Sequence, residues 1–470
     1  MLANEDHTPL ETPNLSADVL AHGHCLTKVV CNHSGIDVLC GFADPSMFHH
    51  AAGGRAFMNP VVGRYANRLP AGETRCRSGC KLHLTGAQSV CLHGGDSGFD
   101  TLPWTPLGRA DSVLFPLDDA DHPLPPPASS PDEPITEASS LHRLYSPAGA
   151  DGFPCSLEVE ALTVVLAPEK DDGVKTDVEG KPGRILGKVK VVLRAKIRED
   201  GDEDIPKGTP LNLTLHWGFR LDNCREKDVL NHRLWLGSDK LVELDEQGIS
   251  TGKIEKINEG DELDFFSAGR EGPHRTIGER FPKGGIDRNF LLNTPPTTID
   301  PTRSTTSPRL PTIPQAILTG PPATTSSPQV SLRFTSNQAS VQIYTASHLD
   351  SHGPARKTAH GGPEADKAPA SSAGESTEQG AEAKGEGYDR EGMVFLEFQA
   401  PVGAVLHCAR EGTQQGDSEL GRWMETRAKD ERKVDVGEGK DGRSWEMDTV
   451  LRRGQIYENW TEVEIIELDG

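Results

Sequence analysis

The stretch LGKVKVVLRAKI (186–197) constrains the fold more than any other part of the chain. Val189, Val191, Leu193, Ala195 and Ile197 recur at every second position, with Lys188, Lys190, Arg194 and Lys196 between them. A period of two places alternate side chains on opposite faces of an extended backbone, so this segment is a strand with one face buried. LEVEALTVVL (157–166), VSLRF (330–334), SVQIYT (340–345) and TEVEIIEL (461–468) carry the same kind of signal. The middle two read as a pair joined by a short polar turn containing Asn337. No amphipathic helix pattern of comparable length competes. Many strands joined by turns and long loops predict an all-β fold, a large antiparallel β-sandwich with loop insertions at its ends.

The sandwich does not account for the whole chain. Hydrophobic residues make up only 35% of the 470 residues and aromatics 5%, with 49 Gly and 35 Pro, too dilute for uniform packing. Four stretches carry the dilution. Residues 120–140 and 294–329 are rich in Pro, Ser and Thr, which fix φ, remove donors and offer little apolar area. Residues 350–387 contain no Val, Ile, Leu, Met, Phe, Trp or Tyr, so burial cannot offset the entropy of ordering them, and disorder is expected. Residues 409–446 are charged and Gly-rich, with Leu420, Trp423 and Met424 spaced for a short docked helix.

Charge and termini narrow the partners. A net charge of −22 repels phosphate backbones and anionic headgroups, so neither nucleic acid nor a membrane surface is expected as a partner. The N-terminal MLANEDHTPLETPNLS has neither the basic start nor the apolar run of a secretory signal, and no run of about 18 apolar residues occurs anywhere. The expectation is a soluble cytoplasmic protein with free thiols. Its nine cysteines lack CxxC pairing. Cys76 and Cys80 with His83 nearby admit a metal-site reading, against the plainer one of unliganded thiols.

Five clusters set a polar or charged group among turn glycines or strand residues: GRYANR (63–68), LHGG (92–95), NLTLHWGF (212–219), GGIDRNFLLN (284–293) and VFLEFQAP (394–401). Each has an ordinary reading. Arg68 fits a surface ion pair, His93 a turn, His216 a satisfied core position, Asp287 a cap, and Glu397 a solvated strand face. Glu397 is the most telling, because Val394, Phe395, Leu396 and Phe398 bring it close to burial. A carboxylate so placed needs a donor or shifts its pKa upward, toward a general base's working range.

Taken together and in order, these clusters resemble the aldose 1-epimerases, or galactose mutarotases, from roughly residue 25 to residue 465. The resemblance rests on GRYANRLPAG (63–72), LHGGDSGFD (92–100) with Trp104, SPAGADGFPCSLEVE (146–160), TPLNLTLH (209–216), SDKLVELDEQGISTG (238–252), IGER (277–280) with GGIDRNF (284–290), and VLRRGQIYE (450–458). It implies a supersandwich of the galactose mutarotase type forming one domain over 20–468, interrupted by the four insertions. Carried over position by position, it implies Glu397 as catalytic base and His216 as catalytic acid, with Arg68, Asn67, His93 and Asp287 binding or positioning the sugar. Neither cofactor nor metal is implied. Two positions depart from the family pattern: Leu215 stands where an asparagine is usual, and Phe398 where a threonine is common.

The implied reaction interconverts the α and β anomers of a free hexose. A base removes the C1 hydroxyl proton while an acid protonates the ring oxygen; the hemiacetal opens, rotates about C1–C2 and closes on the other face. A carboxylate near His216 would help hold it protonated, and Asp287 is one source of such a field. Two other readings fit the same residues. A hexose-phosphate mutarotase would need a basic pocket, for which Arg64, Arg68, Arg220 and Arg288 are the available cations. A non-catalytic carbohydrate-binding protein is suggested by Leu215 and Phe398.

Overall fold

The computed structural model describes residues 7–48, 55–117, 136–168, 175–198, 208–293, 313–364, 386–408, 418–434 and 448–469. Two large antiparallel sheets organise them. The larger runs, edge to edge, through Thr105–Pro106, Glu137–Ser146, Leu157–Leu166, Lys181–Ile197, Tyr457–Leu468, Gln329–Ser336, Ala316–Thr319, Arg233–Leu236 and Arg275–Thr276, with Lys175–Val178 paired off the path. The smaller contains Gly218–Phe219, Val394–Gln399, Ser340–Tyr344, Asp287–Leu291, Lys240–Leu244 and Ser250–Lys256. Among the described residues no helix is long and apolar enough to cross a membrane.

Alternation explains how the sheets pack. Val189, Val191, Leu193, Ala195 and Ile197 enter the main apolar core, where they meet Phe290, Val341, Ile343, Val394, Leu396 and Phe398 from the smaller sheet. The other face of the long strand is not simply solvated. Val192 joins Leu114, Phe115, Leu162 and Val164 in a second cluster, and Arg194 lies over the Phe115 ring while pairing with Glu458 at 2.6 Å. The core also begins before residue 20: Leu10, Leu15, Ala17 and Val19 contribute to it from the strands His7–Glu11 and Leu15–Leu20.

The expected pairing of 330–334 with 340–345 does not occur. Gln329–Ser336 lies between Ala316–Thr319 and Tyr457–Leu468 in the larger sheet, whereas Ser340–Tyr344 lies between Asp287–Leu291 and Val394–Gln399 in the smaller. The turn at Asn337 is a crossover between layers. Its side chain stitches it to the last strand, accepting from Trp460 N at 2.9 Å and donating to Glu458 O at 3.2 Å.

The segments expected as insertions hold more order than their composition suggests. Glu137–Ser140 already belong to a strand, and Ala316–Thr319 and Gln329 to the larger sheet; Ala316, Ile317 and Leu318 are fully buried there. Residues 350–364 are placed without apolar burial, because polar anchors hold them. Lys357 Nζ pairs with the buried Asp37 at 2.6 Å, and His360 bridges the Tyr388 hydroxyl at 2.7 Å and the Asp37 carbonyl at 2.8 Å. Glu419–Val434 forms a helix that buries Leu420 and Met424 against Val242, Leu291 and Ala404. Of the expected insertions, 120–135, 294–312, 365–385, 409–417 and 435–446 lie outside the described residues.

Candidate active site

The smaller sheet has one apolar and one polar face. Residues directly opposite in an antiparallel ladder share a face, and Glu397 lies opposite Gln342, which lies opposite Asn289. Two positions along, the same face carries Phe395, Tyr344 and Asp287. Phe398 and Leu396 point the other way, into the core, where Phe398 stacks on Phe334 at 5.9 Å. Leu215 is likewise a core residue, paired with Val61. Both family departures therefore stand on the far side of the backbone from the polar cleft.

His216 is brought to this face by a segment zipped onto the strand Val394–Gln399. Thr214 Oγ1 donates to Phe398 O at 2.9 Å, Trp217 Nε1 to Leu396 O at 2.8 Å, and Asn212 exchanges hydrogen bonds with Ala400. On its other side the segment is held by Asn59 and Pro60, whose backbones bond His216 O and N. The result is that His216 Nε2 stands 3.2 Å from Glu397 Oε1, both side chains buried. Phe395 lies against the His216 ring at 4.6 Å.

Arg68 and His93 arrive together because Arg68–Pro70 pairs with Val90–Leu92, placing Arg68 opposite Leu92. Gly94, at φ +90°, lets this turn approach closely: a Cβ there would sit 2.0 Å from Gly63 O. The glycines beside His93 and Asp287 thus serve backbone and side-chain packing, since a Cβ on Gly285 would strike Ser347. His93 stands edge-on to His216 at 5.1 Å. Its Nδ1 accepts the Asn67 N–H at 3.2 Å, while Asn67 Oδ1 is occupied by Arg68 N at 3.0 Å. Arg68 Nη1 lies 3.6 Å from Asp287 Oδ2, and Asp287 Oδ1 accepts the Gln342 amide at 2.6 Å.

Electrostatics follow from burial. Burial pushes the Glu397 carboxyl well above its usual range, with Asp287 adding to the shift and Arg68 opposing it. Burial lowers His216 to about 4, against a partial pull from its own carbonyl and that of Phe57. His93 is held well below the usual imidazole range by burial, with His216, Arg55 and Arg68 adding. Asp287 therefore acts on Glu397, and the carboxylate facing His216 is Glu397 itself. Glu397 Oε2 and Gln342 Oε1, neighbours on one face, are buried without a hydrogen-bond partner in the protein. Such an acceptor costs roughly 1–3 kcal/mol until a donor reaches it, so both oxygens are free to accept from a donor that enters the cleft.

His93, His216 and Glu397 hold ligand atoms within 4.8 Å of one another, a spacing that a metal ion could bridge. The hydrogen bond to His93 argues against a cage. With Nδ1 accepting, a neutral ring carries its proton on Nε2, the nitrogen a metal would need bare. The trio suits hydroxyl recognition better.

Four residues of the site escaped the sequence reading. Gln342 and Tyr344 sit in a strand recognised only as a strand, and Phe395 passed as a burial residue for Glu397. The polar Gln342 between Val341 and Ile343 is the available signal for the first. Phe57 packs on His93 at 4.7 Å and faces His216 at 5.7 Å; its left-handed backbone, φ 49°, has no signature in sequence.

Comparison with known proteins agrees with this architecture. A family model described as aldose 1-epimerase matches residues 130–391, which include His216 and Asp287; Arg68, His93 and Glu397 lie outside the matched interval. Galactose mutarotase of Rattus norvegicus is 27% identical over 287 residues, 60% of this chain and 66% of that protein. Aldose 1-epimerase of Escherichia coli is 28% identical over 234 residues, 49% of this chain and 51% of that protein. Among solved structures, an aldose epimerase homologue from C. elegans superposes with a TM-score of 0.58 at 16% identity, covering 98% of this chain and 99% of that one. Galactose 1-epimerase from Lactobacillus acidophilus NCFM gives 0.57 at 15%, covering 98% and 94%. At such identity the structural likeness speaks for the galactose mutarotase-like fold alone. The family match spans more than half of a chain that already has this fold and this polar cleft, and the chain belongs to the aldose 1-epimerase family.

Proposed function

We propose that this protein, as one sandwich domain over 20–468, is an aldose 1-epimerase that interconverts the anomers of a free hexose such as glucose or galactose. Glu397 and His216 move the protons, His93, Arg68 and Asp287 bind the sugar hydroxyls, and Asn67 fixes the turn that presents His93. The observation that carries this reading is the 3.2 Å approach of His216 Nε2 to Glu397 Oε1 within a buried cleft that holds unpartnered acceptors.

Ring opening requires an ionised carboxylate and a charged imidazole. The opposite shifts on Glu397 and His216 favour the neutral pair in the free pocket, with the proton on the carboxyl. The two forms hold the same number of protons, so one transfer across the contact interconverts them. A sugar entering the cleft supplies hydroxyl donors to the carboxylate, and Arg68 already favours its charged form. Glu397 then takes the O1 proton while His216 protonates the ring oxygen. After rotation about C1–C2 the two groups reverse roles and the ring closes on the other face, each proton transfer contributing roughly 10²–10⁴-fold.

Three of the four cations that a phosphate pocket would need are committed elsewhere: Arg64 to Ser146 and the carbonyls of Pro147, Pro154 and Cys155, Arg220 to Asp222 and Gly392 O, and Arg288 to Glu255. Arg68 alone of the four stands in the cleft, and there it faces the carboxylate of Asp287. This favours an unphosphorylated sugar. The core placement of Leu215 and Phe398 removes the motive for a purely binding protein. Polarimetry on freshly dissolved α-glucose and α-galactose tests the proposal. Equilibration faster than background, lost in Glu397→Gln, supports it; wild type indistinguishable from background on both sugars overturns it.

A further inference from the structure

The proton-transfer cleft uses none of the nine cysteines, and two of these stand together outside it. Gly72–Arg75 and Lys81–Leu84 form a hairpin whose ladder pairs Arg75 with Lys81. One step further along that register, Cys76 faces Cys80 across the three-residue loop Arg77–Gly79. Cys76 N donates to Cys80 O at 2.8 Å, and Gly79 N closes the turn on Cys76 O at 2.9 Å, with Gly79 at φ 91°. This is the three-residue hairpin in which glycine takes the left-handed position. Directly opposed, hydrogen-bonded residues in such a ladder have Cα atoms about 5.5 Å apart, inside the roughly 4.4–6.8 Å window that a disulfide spans. Their side chains project to one face, where each thiol is the first influence on the other's acidity, and Cys80 Sγ directs its proton to Gly208 O at 3.9 Å.

We propose that Cys76 and Cys80 form a reversible dithiol–disulfide site that peroxide oxidises in preference to the other seven thiols. Cys80 is the attacking sulfur. It is half-buried, whereas Cys76 is buried among Tyr65, Leu82, Leu84, Phe153 and Val405. Cys80 alone of the nine has its pKa lowered, first by the Cys76 hydrogen bond and further by Arg452; the half-buried Cys224 is pushed up to about 11 by burial. Its thiolate attacks one oxygen of hydrogen peroxide, giving a sulfenic acid and hydroxide. The Cys76 sulfur then displaces the sulfenic hydroxyl, and its proton leaves with that oxygen as water. Two thiols lose two electrons to one peroxide, which is reduced to two waters. The hairpin loop is tied to the main fold through Arg77 N and Val405 O at 2.9 Å, so the closed bond fastens a segment already docked.

The test does not depend on the proposed sugar activity. The reduced full chain is treated with limiting hydrogen peroxide, remaining thiols are alkylated, and the products are read by intact mass and peptide mapping. The expected result is a loss of about 2 Da mapped to a 76–80 cross-link, reversed by dithiothreitol, forming at least about tenfold faster than any change at Cys224. Cys76→Ser is expected to stop at a sulfenic acid on Cys80, trapped by dimedone, and Cys80→Ser to leave Cys76 reduced. A cross-link elsewhere, no cross-link in wild type, or oxidation of Cys224 as fast as that of Cys80 overturns the proposal. The wild-type map alone decides it should either variant fail to fold.

Discussion

The backbone N–H of Asn67 donates to Nδ1 of His93 at 3.2 Å, and that single contact fixes which ring nitrogen carries the proton. Burial and the nearby cations keep the ring neutral, so Nε2–H is its one donor, on a ring that stands beside His216 and Glu397. Nitrogen-resolved NMR should find His93 neutral and protonated on Nε2 across pH 5 to 8. His93→Ala removes this donor and the ring that packs edge-on against His216, and kcat/KM should fall at least about 10- to 100-fold, the worth of a hydrogen bond to a group gaining charge. A ring found protonated on both nitrogens at neutral pH would remove the basis of this assignment.

The opposed shifts of Glu397 and His216 make a stability prediction. A carboxyl whose folded pKa is raised contributes stability that is full below about pH 4.3 and lost as pH rises through its folded pKa. An imidazole depressed to about 4 contributes stability present above about pH 6.5 and lost as pH falls toward 4. Between these limits the two slopes cancel, because folded and unfolded pairs hold one proton each. Glu397→Gln leaves the histidine slope uncompensated. Urea denaturation should show the variant losing up to about 1.4 kcal/mol per pH unit more than wild type on acidification from 6.5 to 4.5. Equal slopes for the two proteins would argue against this burial of charge.

The strands were legible wherever one face is wholly apolar: 157–166 matches its observed bounds, and 186–197 lies inside a longer strand. Pairing was not. Asn337 reads as a hairpin turn because sequence records that the chain turns, whereas the layer joined by the next strand is set by contacts with Trp460 and Glu458 more than 120 residues away. The order in 350–364 was hidden for a related reason: hydropathy measures what burial can offset and misses a lysine that finds a buried aspartate. In the site, the resemblance named charged groups, and the structure adds the neutral ones between them, Gln342 joining Glu397's strand to Asp287 and Phe57 covering the histidines.

Phe57 is expected to act as a positioning residue. Its ring lies between the Arg55 guanidinium, at 4.7 Å, and the His93 ring, also at 4.7 Å, while Arg55 grips Asp100 with two hydrogen bonds of 2.8 and 2.7 Å. A bulky residue at φ 49° is strained, and the aromatic contacts hold it there. Phe57→Ala admits water above His216, so the imidazole pKa should rise from about 4 toward 6.5 in an NMR titration. The higher pKa by itself favours the charged imidazole, but loss of the ring that positions His93 and His216 should outweigh it and slow mutarotation at neutral pH about tenfold, mainly in kcat. Phe57→Leu, which keeps the site dry, should restore most of both; an unmoved His216 titration in Phe57→Ala would show that the ring does not shield it.

Lys357 staples the segment 350–364 to the sandwich through Asp37. Asp37 is 2% exposed; its Oδ1 accepts the N–H groups of Val29 and Leu39, and its Oδ2 has Lys357 Nζ at 2.6 Å. Lys357→Met keeps the aliphatic stem but leaves a buried carboxylate without its counter-charge, a change worth about 3 kcal/mol or more. The two backbone donors keep the loss near the lower end of that range. Lys357→Met with Asp37→Asn removes the charge as well as its partner, so urea denaturation should recover more than half of the lost stability in the double variant. If the single variant is as stable as wild type, residues 350–364 owe their order to something other than this pair.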